Sequence, residues 1–236
     1  MADSNSRVPA KREAIDQFLA KVKSTPPAVR QGSGRLIFAI DATMSRQRLW
    51  DQASQLQAEM LLAAGQESEL RIQFAYYRGL MEFYHSAWVD KPQQLTQEMT
   101  RVYCQAGQTQ IARLLTHVSK EARQHKVNAA VFVGDAMEEN DTSLYKLAGQ
   151  LALQGTPLFV FQEGYDPEVE AVYTKMAQLS GGAYCRFDAG SVAQLKELLG
   201  AVAEYARGGY LALENYVQRQ GTQRALQLIR QLPGPK

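Results

Sequence analysis

The chain has 236 residues, enough for one sizeable α/β domain with extensions and tight for two. Apolar residues make up 45%, ordinary for a soluble globular protein, and a formal charge of +2 argues against a nucleic-acid binder or a scavenger of acidic substrates. Cys104 and Cys185 belong to no CxxC or Cys/His pattern, which points to two reduced, partly buried thiols.

In chain order, MADSNSRVPAKREAID lacks the apolar core of a signal peptide, and no stretch approaches the ~20 apolar residues of a membrane span. The expectation is a cytoplasmic protein. Ile15, Phe18, Leu19 and Val22 recur at helical spacing over residues 9–23, and PPAVRQGSG reads as a linker. LIFAI is a short apolar run suited to a strand buried on both faces. After DATMS, residues 46–64 predict a long helix. Residues 70–77 predict a strand, Arg78-Gly79 a tight turn, and residues 80–88 a second strand. So short a loop makes that pair antiparallel. A helix over 92–102 and a turn at Ala106-Gly107-Gln108 precede a helix over 109–125. Then follow the strand VNAAVFVGD, a helix over 142–153, the strand TPLFVFQ, a helix over 167–179, a Gly-Gly break, the strand GAYCRF and a helix over 192–205. Two further apolar stripes at helical spacing flank Gly221, and packing on the domain is their expected fate.

Strands alternating with helices imply right-handed crossovers. The predicted fold is therefore α/β: a Rossmann-like, doubly wound, mostly parallel six-stranded sheet with one antiparallel edge strand, plus N- and C-terminal helical extensions. The expected organisation is a tail, helix and linker over 1–34, the α/β domain over 35–207, and a helical extension over 208–236.

In such sheets ligands bind beyond the carboxyl ends of the strands, where strand order reverses. Three segments should reach that edge: Asp41-Ala42-Thr43-Met44-Ser45 after the first strand, Gln108-Thr109, and Gly134-Asp135 after VFV. Positions 41, 43 and 45 are two apart, so in a tight βα turn their side chains can converge. With Thr109 and Asp135 they form an all-oxygen set suited to a hard cation such as Mg²⁺, and the lack of His and Cys argues against zinc or copper. Helix caps remain open for Ser45, Thr109 and Asp135, and a turn-closing role for Asp41.

These residues carry a resemblance to the von Willebrand factor A (VWA) domains. Their metal-ion-dependent adhesion site (MIDAS) has an Asp-x-Ser/Thr-x-Ser turn after the first strand, a Thr before a later helix and an Asp ending the fourth strand. Asp41, Thr43 and Ser45 in DATMS, Thr109 in AGQTQIARLL and Asp135 in VFVGDAMEEN match in order and rough separation. The resemblance covers residues 35–207 and departs where many members have Gly after the final Asp, since this chain has Ala136. It implies Mg²⁺ (or Mn²⁺) held at Asp41, Thr43, Ser45, Thr109 and Asp135, with a partner's carboxylate completing the coordination. It also implies a non-enzymatic protein-binding adaptor, in the setting of an AAA-type ATPase or multiprotein assembly.

Two rival readings stay open. One is a Mg²⁺-dependent phosphate-transferring hydrolase using Asp41, as in haloacid-dehalogenase-like phosphatases, although Thr43 stands where those enzymes keep a second Asp. The other is a metal-free scaffold. Glu138, Glu139 and Asp141 read as a solvated acidic loop. His85, His117 and His125 lack metal spacing and read as surface or satisfied core residues. Phe74, Tyr76, Phe83 and Tyr84 read as hairpin core, and Gly181-Gly182 as a helix terminator.

Overall fold

A computed structural model describes residues 34–47, 70–90, 92–188, 192–220 and 223–234. The helix expected over 9–23, most of the following linker and nearly all of the helix expected over 46–64 lie outside the described residues. The strands are β1 (Gly34–Asp41), β2 (Leu70–Arg78), β3 (Glu82–His85), β4 (Ala129–Gly134), β5 (Leu158–Glu163) and β6 (Tyr184–Phe187). The helices are α1 (Pro92–Met99), α2 (Ile111–Gln124), α3 (Asp141–Leu153), α4 (Pro167–Ser180), α5 (Val192–Gln220) and α6 (Gln223–Gln231). The sheet runs β3-β2-β1-β4-β5-β6, parallel throughout except for the antiparallel β2–β3 pair. This is the predicted mostly parallel six-stranded sheet with one antiparallel edge.

Alternation along β1 explains why a nearly unbroken apolar run folds as a strand. Leu36, Phe38 and Ile40 enter the core on one face, and Ile37 and Ala39 the core on the other. A strand covered on both sides needs apolar residues at every position. On the first face α5 and α6 close the core with Leu198, Val202, Leu213, Val217, Leu228 and Ile229. On the second, α2, α3 and α4 contribute Leu114, Leu115, Leu144, Leu151, Val172 and Met176.

The C-terminal stripes thus pack on the domain. Within α5, Gly209 adopts φ 70° and ψ −156°, a backbone that breaks the helix where the C-terminal extension over 208–236 was expected to begin. The second half then folds back until Tyr216 Oη would lie 2.9 Å from a β-carbon at Gly200. The α4 helix ends as predicted on Gly181 at φ 75°.

Several boundaries differ from the sequence reading: the helix expected over 92–102 ends at Met99, the helix expected over 192–205 continues to the break at Gly209, and the strand VNAAVFVGD is paired only over Ala129–Gly134. The strand expected over 80–88 is only Glu82–His85, because Gly79 to Met81 form the turn. Beyond it, Ser86 N still donates to Phe74 O (2.8 Å), but the Ser86 hydroxyl accepts from Phe74 N (3.0 Å) in place of a carbonyl, and two-way backbone pairing returns at the Val89–Ile72 bridge. Tyr84 is exposed rather than core, stacked on Tyr76 with its hydroxyl donating to Glu98 (3.0 Å). The helix expected from Thr109 begins at Ile111, for a reason that belongs to the site.

His117 on α2 is buried, with Nε2 2.8 Å from Gln73 Oε1 on β2 and its ring stacked on His85 at 4.3 Å. Gln73 Oε1 only accepts, so Nε2 carries the hydrogen of that bond. Burial, with the His85 ring adding to it, pulls the His117 pKa down to about 4. The unfolded chain therefore binds the extra proton first as pH falls. Stability is full above about pH 6.5 and is lost progressively down to about pH 4, by ~1–2 kcal/mol after allowance for solvent screening. His117→Gln keeps a donor for Gln73 and removes the titration. Urea unfolding at neutral pH and near pH 4.5 should show a smaller loss in that variant; an equal loss would place the titration elsewhere.

Candidate metal-binding site

The strand order places β1 between β2 and β4, so the chain turns opposite ways on leaving β1 and β4, and the switch point lies between their carboxyl ends. Ile40 pairs with Val133 there, which brings Asp41 and Asp135 to the same edge.

Asp41 is fully buried. Its Oδ1 accepts from Thr43 N (2.7 Å) and its Oδ2 from Tyr77 Oη (3.0 Å), the residue beside it in register on β2. Burial pushes the Asp41 carboxyl above its usual range, against the lowering pull of Thr43 and Arg46 and with the neighbouring Asp135 adding to the rise. Burial also raises the Tyr77 and Tyr173 hydroxyls well above their usual range, so both remain donors. Tyr173 Oη donates to the Ala136 carbonyl (2.6 Å), which fixes the backbone just past Asp135.

The three predicted hydroxyls come together. Thr43 Oγ1 and Ser45 Oγ lie 3.2 Å apart, and Thr43, Ser45 and Thr109 all line one cavity of about 250 Å³. The two carboxylates do not line it: Asp41 is sealed off, and Asp135 is half-buried with its Oδ1 buried and without a hydrogen-bond partner. An orphaned buried carboxylate oxygen is costly and needs a counterpart. Thr109 and Asp135 are not helix caps. The α2 N-cap is Gln110, without a side-chain cap bond, and the α3 N-cap is Asn140, which accepts from Ser143 N (3.1 Å).

Glu139 is half-buried and departs from the reading as a solvated loop, whereas Glu138 stays exposed and lines the cavity of the three hydroxyls. Glu138 Oε2 accepts from Thr109 N (3.1 Å), and Glu138 N donates to Thr109 Oγ1 (3.1 Å). The Glu139 carboxylate accepts from Ile111 N and from Ala112 N (2.8 Å for the latter). A carboxylate borrowed from the next loop thus caps α2, which is why that helix starts late. Asp141 does stay exposed, its Oδ1 accepting from Thr142 N (2.7 Å).

Arg46 is the functional-site residue that sequence reasoning missed. Its side chain has no solvent exposure, Nε donates to Glu163 Oε2 (3.0 Å), and Nη1 donates to Asp41 O (2.9 Å) and Val133 O (3.2 Å). Burial works against its charge, but Glu163, then Asp41 and Asp135, more than offset that and hold the guanidinium above its ordinary value. No local motif announces an arginine whose partner lies 117 residues away. Tyr77 was foreseeable only from the β1–β2 register.

Among the described residues no group of three or more His, Cys, Asp or Glu side chains could hold a metal ion. A cation at this edge would draw on the hydroxyls and on the Glu138 carboxylate that lines the same cavity. Three neutral hydroxyls, with two acids set back to act through water, are a donor set that a hard cation such as Mg²⁺ accepts, and the orphaned Asp135 oxygen fits such an ion. The residues present therefore fit the group.

No protein-family model matches the chain, and no curated protein matches it in sequence. Solved structures do match its fold. The SpRpn10 VWA domain aligns with a TM-score of 0.55 at 11% identity, over 72% of this chain and 94% of that one. An aerotolerance-related membrane protein from Bacteroides fragilis aligns with a TM-score of 0.56 at 13% identity, over 72% and 98%. Proximal thread matrix protein 1 from the mussel byssus, solved with a zinc-occupied MIDAS motif, aligns with a TM-score of 0.53 at 13% identity, over 73% of this chain and 46% of that one. At such identities the likeness is one of fold.

Arg46→Ala removes a buried guanidinium, its ion pair with Glu163 and its bonds to two carbonyls at the strand ends. The expected loss is ~3–5 kcal/mol of unfolding free energy by urea denaturation. Adding Glu163→Gln should recover part of it, since the carboxylate that lost this ion pair is then neutral.

Proposed function

We propose that this chain, which has the VWA-type fold, is a metal-ion-dependent protein-binding module and not an enzyme. The ion is Mg²⁺ (or Mn²⁺). Thr43, Ser45 and Thr109 offer it hydroxyls, and Asp41 and Asp135 act from behind through water. A partner's carboxylate completes the coordination. The observation that carries the reading is the convergence of three hydroxyls on one cavity beside a buried carboxylate oxygen that has no partner. The zinc-occupied MIDAS motif of the mussel protein supports a divalent ion at this position of the fold.

A phosphoryl-transferring role for Asp41 is disfavoured by its surroundings. A nucleophilic carboxylate must reach its substrate, whereas both Asp41 oxygens are engaged and the residue is fully buried. A cytoplasmic adaptor acting with an AAA-type ATPase or another multiprotein assembly is the setting we favour. Among the described residues no helix is long and apolar enough to cross a membrane.

Thermal melting and calorimetry during Mg²⁺ and Mn²⁺ titration test the reading. Wild type should show saturable stabilisation, and Asp135→Asn should lose it while melting near the metal-free wild type. The variant removes a charge that the protein itself leaves without a hydrogen-bond partner. An equal response in both proteins, or none in either, would sink the metal reading.

A further inference from the structure

Exposed large apolar side chains are usually scattered over a soluble protein. In this chain Met44 (52% exposed), Leu80 (73%), Met81 (81%) and Tyr103 (59%) gather at the sheet edge that carries the hydroxyl cavity. Asp41 and Tyr77 pair in register, so the β2–β3 turn emerges beside the cavity. Backbone contact joins the two: Gly79 O accepts from Gln108 N (3.3 Å), and a β-carbon at Gly107, which lines the cavity, would fall 1.9 Å from Gly79 O. Met44 lines the cavity itself. The Tyr103 ring lies 4.1 Å from the Arg78 guanidinium, which also donates to Tyr103 O (3.2 Å).

Charge adds a direction. Arg78 is matched by Glu82 (2.6 Å), but Arg113 meets no carboxylate among the described residues. Its Nη1 donates to Met81 O (2.7 Å), which places an unneutralised guanidinium at the turn. Turn tips favour Gly, Pro, Asn, Asp and Ser, and neither Leu80 nor Met81 gains burial from the fold. Methionine adapts its shape to varied apolar surfaces.

We propose that this edge receives an acidic segment of a partner protein in which a carboxylate is flanked by bulky apolar side chains. The carboxylate meets the ion in the cavity, the apolar flank packs on Met44, Leu80, Met81 and Tyr103, and a further acid pairs with Arg113. The proposal rests on the metal-site reading and adds the apolar half of the recognition.

The test selects short random peptides displayed on phage against the immobilised full chain in Mn²⁺. Synthetic copies of the selected peptides are then titrated by fluorescence anisotropy. Recovered peptides should pair Asp or Glu with Leu, Ile, Met or Phe. Leu80→Ser/Met81→Ser should weaken them by about tenfold or more and keep the Mn²⁺ stabilisation of wild type, since both side chains are already in water. Equal binding to the double variant, peptides without the acid–apolar pairing, or no binders at all would overturn the proposal. Peptide binding that is lost in the double variant but survives chelation and Asp135→Asn would separately overturn the metal reading, and with it the seating of the carboxylate on the ion.

Discussion

A single guanidinium, that of Arg46, ties together the strand ends on which the site is built. It reaches the last carbonyl of β1 at Asp41, the Val133 carbonyl on β4 and the Glu163 carboxylate at the end of β5. Parallel strands end in free carbonyls, and three such ends side by side place acceptors in a region the helices seal from water. A buried charge is expensive unless paired and hydrogen-bonded; this one is paired with Glu163 and bonded through Nε and Nη1, while Nη2 is buried without a hydrogen-bond partner. The result is an edge organised from beneath. Arg46 follows Ser45 directly, so anchoring its side chain also limits where the Thr43 and Ser45 hydroxyls can point.

The loops above that anchor use their acids inwards. Glu139 caps α2, and Glu138 clasps Thr109 through two reciprocal hydrogen bonds. Both carboxylates are thereby bound to backbone groups, and Arg46 exerts a pull on Asp41. Under the metal-binding reading, these arrangements leave a divalent ion facing three neutral hydroxyls and one partly engaged carboxylate, that of Glu138, which lines the same cavity. An ion so placed retains a strong demand for one more anionic oxygen. On that reading, the same groups that make the site rigid leave the ion short of one anionic oxygen.

The sheet was legible because its physics is local and repeated. Runs such as LIFAI and VFV, separated by helical periodicity, specify buried strands joined by crossovers, and the short hairpin specifies the antiparallel edge. The hydroxyl positions were legible for the same reason, since they follow strand ends at fixed offsets. Arg46, Tyr77 and Glu139 were not. Each acts on a group brought near only by the finished fold, and each sits in sequence as an unremarkable residue of a helix, a strand or a loop. The early end of β3 was likewise hidden, because a hydroxyl at Ser86 standing in for a carbonyl leaves no trace in hydropathy.

The outer edges of the sheet bear on where a partner can bind. An exposed strand edge invites pairing with another chain unless it is blocked. On β6 the block is a side chain: Gln231 of α6 accepts from Tyr184 N (2.9 Å) and donates to Tyr184 O (2.7 Å), as a neighbouring strand would. At the opposite edge β3 is only four residues long. With α5 and α6 covering one face and α2, α3 and α4 the other, strand addition and face-on docking are both poorly served. The carboxyl-end rim differs in kind, because it combines a cavity lined by hydroxyls with exposed apolar side chains that the fold leaves in water. The C-terminal helices close a face and an edge, and α6 shares with β6 a polar cleft of about 860 Å³ that includes Arg186, Arg224 and Arg230, without the exposed methionines of the rim.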